Sequence, residues 1–363
     1  MLHAPELDTP CLLVDFDLLK ANIEDMAAMS ARAGKRLRPH VKTHKCTEIA
    51  AIQREAGAAG ITAAKVSEAE VFAAAGFQDI FIANLVVGQP KVERTLRLAE
   101  RCTLTIGLDS LAVAEPIARA AECRGVPVRV LIEVDTGHGR AGVRTVEDAV
   151  RLASFLRRHR YMSLQGVFTH EGHAYRSPAD RLPEICRNAL LRLLAVREAA
   201  EQAYGVRLAV LSVGSTPSAQ VMGEIPEVTE LRPGNYVFQD ATQVRLGRPV
   251  NRCALTVLTT VVARPSATEA ILDAGTKALS ADRDVLYGHG FVLDHPQARV
   301  DWCSEEHGHL HLGMTTWRPA VGQKIRLVPA HACTCVNMHS WLWIVRGDEV
   351  LARWPVSARG RLL

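Results

Sequence analysis

The rhythm of the chain between residues 37 and 213 limits its possible folds more than any other feature. Apolar runs at 60–65, 79–87, 104–108, 128–134, 164–168 and 208–213 alternate with helical patterns at 68–75, 91–102, 111–124, 146–159 and 179–204. Each run is apolar on both faces, which suits strands covered on both sides, and strands joined through helices run parallel. Seven or eight such units close into a (β/α)8 barrel. An open doubly wound sheet for a dinucleotide would carry Gly-x-Gly-x-x-Gly after its first strand, and none stands there. Ahead of the barrel pattern, 10–16 reads as a buried strand and 17–33 as a helix that Gly34 ends. Ser67 is the expected N-cap of the helix at 68–75.

From about Cys253 the rhythm changes. Runs at 254–262, 269–273, 308–312, 324–328 and 340–345 are rich in branched and aromatic residues and separated by Gly, Pro and charged turns. They predict a C-terminal antiparallel β-domain. The expected division is a barrel over 15–248 and a β-domain over 249–363 together with 1–14.

Composition excludes several function classes. A chain of 363 residues, 48% hydrophobic and 23% charged, buries a large core. The net charge of +4 is small and spread without blocks, which argues against nucleic acid or an anionic membrane as partner. No apolar run approaches ~18 residues, and the N-terminus lacks the basic and apolar regions of a signal peptide. Nine cysteines at irregular spacing fit a reduced, cytoplasmic protein better than a disulfide framework.

The candidate chemistry begins at 37–46, Leu-Arg-Pro-His-Val-Lys-Thr-His-Lys-Cys, where a short extended run gives way to a helix. Lys42 sits at that junction, on the face of a parallel barrel where active sites collect, and a partly buried lysine becomes a nucleophilic amine. The glycine turn at 135–142 projects Arg140 over the same face as a donor to a cofactor oxygen. Gly214, Ser215 and Thr216 after one strand, and Gly234, Asn235 and Tyr236 one strand later, offer donors for a phosphate, as the last two loops of barrels commonly do. His173, in Gly172-His173-Ala174-Tyr175, adds a polar group near the barrel mouth. In the second domain, His331 and Cys333 stand two apart on an expected extended backbone, so both side chains reach one ion. That pair favours zinc and leaves coordination positions open. The alternating histidines 307, 309 and 311 compete for a metal, with His307 a neighbour of the first site. Taken singly, each stretch also reads as an ordinary turn, or as a buried cysteine beside a hydrogen-bonded histidine.

Taken together they resemble a known family. Leu7-Asp8-Thr9-Pro10, residues 38–45, Lys65-Val66-Ser67-Glu68-Ala69-Glu70, Val134-Asp135-Thr136-Gly137 with Arg140, Gly172-His173, Gly214-Ser215-Thr216-Pro217, Arg232-Pro233-Gly234-Asn235-Tyr236, Ser304-Glu305-Glu306-His307-Gly308 and His331-Ala332-Cys333 follow in order over nearly the whole length. The chain resembles the fold-type III pyridoxal-phosphate enzymes of the D-serine dehydratase and D-threonine aldolase family. The resemblance implies an alanine-racemase-like barrel with pyridoxal 5'-phosphate on Lys42, Arg140 touching the cofactor, and a C-terminal β-domain bringing a divalent metal. It further implies a homodimer. The expected activity is a lyase acting on a small β-hydroxy-D-amino acid. Cys333 tilts it to D-serine or D-threonine dehydration with zinc, while manganese or magnesium would accompany the aldolase alternative, with His173 as base. A racemase or a non-catalytic pyridoxal-phosphate carrier gives no reason for the metal pair.

Overall fold

The computed structural model describes residues 3–363, in two compact units. One holds Met26–Lys42, Gln53–Gly234 and Arg361–Leu363; the other holds the N-terminal segment up to Asp25, Thr43–Ile52 and Asn235–Gly360.

The first unit is built on eight parallel strands. In chain order they are Arg36–Leu37, Ile61–Ala63, Asp79–Ile82, Thr103–Leu108, Val128–Glu133, Met162–Phe168, Val210–Val213 and Glu230–Leu231. From Ile61–Ala63 onward each strand pairs with the next, Glu230–Leu231 pairs with Arg36–Leu37, and a parallel bridge between His40 and Thr62 joins the two end strands. In chain order the intervening helices are Thr47–Glu55, Val66–Ala74, Gln89–Ala99, Leu111–Arg124, Val146–Leu156 and Leu182–Tyr204, with the short Ala219–Gly223 after the seventh strand. Local chemistry sets their ends. The Thr145 hydroxyl accepts from the Asp148 N–H at 3.1 Å, and Gly125 and Gly205 take the left-handed conformation that stops a helix.

Inside the ring of strands, Phe81 and Phe168 meet edge to face with centroids 5.0 Å apart. Gly107 makes this possible, because a Cβ there would lie 2.7 Å from the Phe168 ring. Arg38 lies buried between Glu230 and Asp79, with N–O distances of 2.8 Å to each.

The second unit carries a nine-stranded sheet. Glu269–Leu272, Gly308–His311, His295–Cys303, Gly290–Val292, Lys324–Pro329 and Leu255–Ala263 pair in that order, and Leu255–Ala263 returns to Glu269–Leu272, closing an antiparallel ring. Cys11–Asp15, Trp341–Arg346 and Glu349–Pro355 extend the sheet from Leu255–Ala263, with Cys11–Asp15 and Trp341–Arg346 pairing parallel. The fold is thus the expected parallel barrel with a C-terminal antiparallel β-domain.

Three local expectations are corrected. Ser67 is not a cap: the helix starts at Val66, Ala64 N–H is satisfied by the Glu68 carboxylate at 2.6 Å, and the Ser67 hydroxyl donates to the Leu363 carbonyl at 2.8 Å. The extended backbone expected through Cys333 ends at His331 (φ −141°, ψ 118°), because Ala332–Met338 is a helix whose first N–H is held by a buried carboxylate, Asp240, at 2.9 Å. The strands Gly290–Val292, His295–Cys303 and Glu349–Pro355 were not anticipated; the latter two keep much of their length half-buried or exposed and so lack a continuous apolar run. Among the described residues none of the nine cysteines forms a disulfide, and no helix is long and apolar enough to cross a membrane.

Candidate functional site

The backbone leading to Lys42 is gripped from both sides. Arg38 N–H donates to Leu231 O, His40 N–H to Pro233 O, and Val41 N–H to Thr62 O, each at 2.9 Å. Lys42 is therefore delivered by the residues that close the ring of strands. Lys45 is different: it is buried in a left-handed conformation at φ +50°, beyond the strand.

Two histidines lie close enough for the Lys42 charge to act on them. His40 Nδ1 accepts from the Lys42 N–H at 3.4 Å, and His170 Nδ1–H donates to the Gly214 carbonyl. Burial, and then the charge of Lys42, hold both imidazoles well below their ordinary range, so both are neutral. Arg232 lies in the same interior. Its guanidinium sits 5.4 Å over the Phe81 ring and 5.2 Å over Phe168, donates to the Thr169 carbonyl at 2.6 Å and also bonds the Ser212 hydroxyl.

Arg140 sits on the loop that follows the strand Val128–Glu133. The Asp135 carboxylate shapes that loop by accepting the Gly137 and Gly139 N–H groups at 3.0 Å. Arg140 keeps 56% of its side chain exposed and lies 3.9 Å from Glu133. Glu133 is only 4% exposed, and burial pushes its carboxyl up to about 7 against the pull of Arg140. His173 falls on the short helix Gly172–Arg176; its ring packs 3.4 Å from where a Cβ on Gly137 would sit, and its buried Nδ1 has no partner. Burial lowers the His173 imidazole, with Asp135 opposing.

The loop after the seventh strand is tight and rich in hydroxyls. A Cβ at Gly214 would lie 2.9 Å from Arg232 Cβ, so glycine lets this loop approach the one after the eighth strand. Ser215 and Thr216 are buried, the Thr216 N–H donates to the Tyr175 hydroxyl at 3.3 Å, and the Ser218 hydroxyl donates to Glu171 at 3.0 Å. The other Glu171 oxygen is buried without a partner. Gly234 ends the barrel unit, and Asn235–Val237 is a short helical turn in which Asn235 and Tyr236 are buried and Asn235 Oδ1 is unpartnered.

In the β-domain unit the structure brings His331 and Cys333 together, although by a helix start and not by strand alternation. His331 Nδ1–H donates to Asp240 at 3.0 Å, and the Cys333 thiol bonds to the imidazole and lies 3.1 Å from the Thr43 hydroxyl. His307, His309 and His311 are exposed, and among the described residues no cluster of three or more potential ligands forms. Asp240, Thr43, His170 and Glu133 were not singled out in the sequence. Asp240 is legible there only as a helix cap, which it is, and the others carry no local signal.

The chain matches the family described as alanine racemase, N-terminal domain, over residues 14–242, and a serine dehydratase domain over 254–345. It is 34% identical to D-threonine aldolase of Arthrobacter sp, covering 98% of this chain and 93% of that one. It is 37% identical to D-threo-3-hydroxyaspartate dehydratase of Delftia sp. (strain HT23), covering 90% and 91%. It belongs to the D-serine dehydratase and D-threonine aldolase family. Among solved members of the family, D-threonine aldolase from Filomicrobium marinum superposes with a TM-score of 0.93 at 31% identity, over 100% of this chain and 98% of that one. D-threo-3-hydroxyaspartate dehydratase gives a TM-score of 0.89 at 32% identity, over 98% and 99%, as a metal-free cysteine-to-alanine mutant. A histidine-to-alanine mutant of the dehydratase is also solved, and the two altered positions are separated by one residue. Members of the family are lyases that use pyridoxal phosphate and a metal.

This chain's residues fit both groups. An amine at the end of the paired backbone, and a loop held tight by Gly214 with the buried hydroxyls of Ser215 and Thr216, suit an aldehyde bearing a phosphate. An imidazole and a thiol in mutual contact, one backed by a carboxylate, suit a borderline-soft ion.

Proposed function

We propose that this lyase dehydrates a small β-hydroxy-D-amino acid, of the D-serine or D-threonine kind, to a 2-oxo acid and ammonia with pyridoxal 5'-phosphate and zinc. The observation that carries the reading is the contact between His331 and Cys333, whose spacing equals that of the histidine and cysteine altered in the dehydratase mutants. A thiolate selects zinc over manganese or magnesium, and zinc is the stronger Lewis acid for a departing hydroxide.

Lys42 holds the cofactor aldehyde, Arg140 donates to a cofactor oxygen, and Gly214, Ser215, Thr216, Gly234, Asn235 and Tyr236 receive the phosphate. His331 and Cys333 hold the metal. When bound, the cofactor takes up the electron pair released at the substrate's Cα, and the metal polarises the β-hydroxyl. Lys42 Nζ would remove the Cα proton, and His40 and His170, neutral through burial, stand close enough to feel its charge. The reading divides labour between a barrel over 15–248 and a β-domain over 249–363 with 1–14. It includes a homodimer, on the family resemblance, which light scattering of the purified protein checks, and a cytoplasmic location, on the cysteine usage.

The likeness to D-threonine aldolase at a TM-score of 0.93 favours a second reading. In it, the half-buried His173, kept neutral by burial, takes the β-hydroxyl proton and the Cα–Cβ bond breaks. Incubation with D-threonine separates the two. We expect 2-oxobutanoate and ammonia; glycine and acetaldehyde alone, with zinc or manganese supplied, would replace the first reading by the second.

A further inference from the structure

Asp240 carries more hydrogen bonds than its place in the chain requires. It stands before the short helix Ala241–Arg245, and its Oδ1 caps that helix by accepting the Gln243 N–H at 3.0 Å. Serine, threonine or asparagine would serve as well for that purpose. The second oxygen, Oδ2, accepts three donors: Nδ1–H of His331 at 3.0 Å, the Ala332 N–H at 2.9 Å and the Asn235 side-chain amide. The residue is 0% exposed. Burying a carboxylate is costly, and three donors converging on one oxygen are what a carboxylate, and not a neutral cap, holds together.

The geometry points to Asp240 as the positioning residue of the metal site: by accepting from Nδ1–H of His331 it fixes the tautomer and the ring's orientation, and leaves Nε2 as the nitrogen that would take the metal. The inference rests on the reading of His331 and Cys333 as metal ligands. Asp240 is not itself a ligand, because both of its oxygens are already engaged by protein donors. The helix N–H of Ala332 and the cap at Gln243 clamp the carboxylate in place, so the imidazole meets an acceptor that cannot follow it if it turns. On the other side, the Thr43 hydroxyl restrains the Cys333 thiol.

The test is zinc affinity, measured on the cofactor-loaded protein by competition with a chromophoric chelator. Asp240→Asn keeps a cap for Gln243 but offers the imidazole an amide that can present either a donor or an acceptor. We expect it to bind zinc roughly 10- to 100-fold more weakly than the parent, with the cofactor absorbance unchanged. His331→Ala should lose tight binding altogether. Affinity of Asp240→Asn within twofold of the parent, with binding lost in His331→Ala, overturns the inference and leaves the metal reading standing. Parent-like zinc binding in His331→Ala overturns both. Nitrogen-15 histidine spectra of the zinc-loaded parent test the same point without depending on the stability of the asparagine variant. The resonances missing from His331→Ala should show a protonated Nδ1 and a metal-shifted Nε2; metal on Nδ1 overturns the inference.

Discussion

The hydroxyl of Thr43 lies 3.1 Å from the thiol of Cys333. Thr43 directly follows Lys42, so the residue next to the proposed cofactor lysine restrains a proposed metal ligand 290 positions away in sequence.

Borohydride reduction of the cofactor-loaded protein should fix the label at Lys42. The paired backbone ends at Val41, whereas Lys45 is buried in a left-handed turn. Lys42→Ala should be colourless, with turnover reduced by about 10²- to 10⁴-fold or more, and Lys45→Ala should stay yellow. Peptide mapping that finds the label on Lys45 refutes the assignment.

Chelation should remove turnover and leave the colour. His331 and Cys333 belong to the β-domain unit while Lys42 belongs to the barrel unit, so their losses are separable. Loss of a Lewis acid at the leaving group is expected to lower kcat by roughly 100-fold or more. Added zinc should restore it. A metal-free protein, verified by elemental analysis, that retains full kcat contradicts the metal site.

Glu133 gives a pH dependence of stability with a definite sign. Burial raises its carboxyl from 4.5 to about 7 in the folded protein. The folded state therefore holds a proton that the unfolded chain has released, and this contribution is complete below about 4.5 and lost as pH rises through 7. Glu133→Gln does not titrate, so its stability relative to the parent should rise between these pH values, by up to about 3 kcal/mol, and then level off. Thermal melts of both proteins across that range measure it; a constant difference would show that Glu133 is ionised in the fold like an exposed acid.

Arg38 holds the buried Glu230 and the partly exposed Asp79 within 2.8 Å on either side. Arg38→Met leaves the buried Glu230 with only the half-exposed Arg36, 4.0 Å away, and should cost about 3 kcal/mol. Urea denaturation of the barrel, followed by fluorescence, reads the loss. A change under 1 kcal/mol would mean that water replaces the guanidinium.

Much of this protein is written locally. The barrel strands and helices follow from apolar runs and periodicity that each segment carries by itself, and the loops after the seventh and eighth strands were legible because glycine, hydroxyl and proline chemistry is local. The place of Lys42, just past a paired extended run, was legible for the same reason. The strand at Cys11–Asp15 was also readable, but its sheet was not: its neighbours begin at Leu255 and Trp341, and pairing at that distance leaves no local trace. His331 and Cys333 were found through an alternation that the backbone does not follow, since Ala332 starts a helix on the carboxylate of Asp240. Only the tertiary structure sets Asp240 against His331, Thr43 against Cys333 and neutral His170 near the charge of Lys42, because hydrogen bonding and desolvation depend on what surrounds a side chain and not on what precedes it.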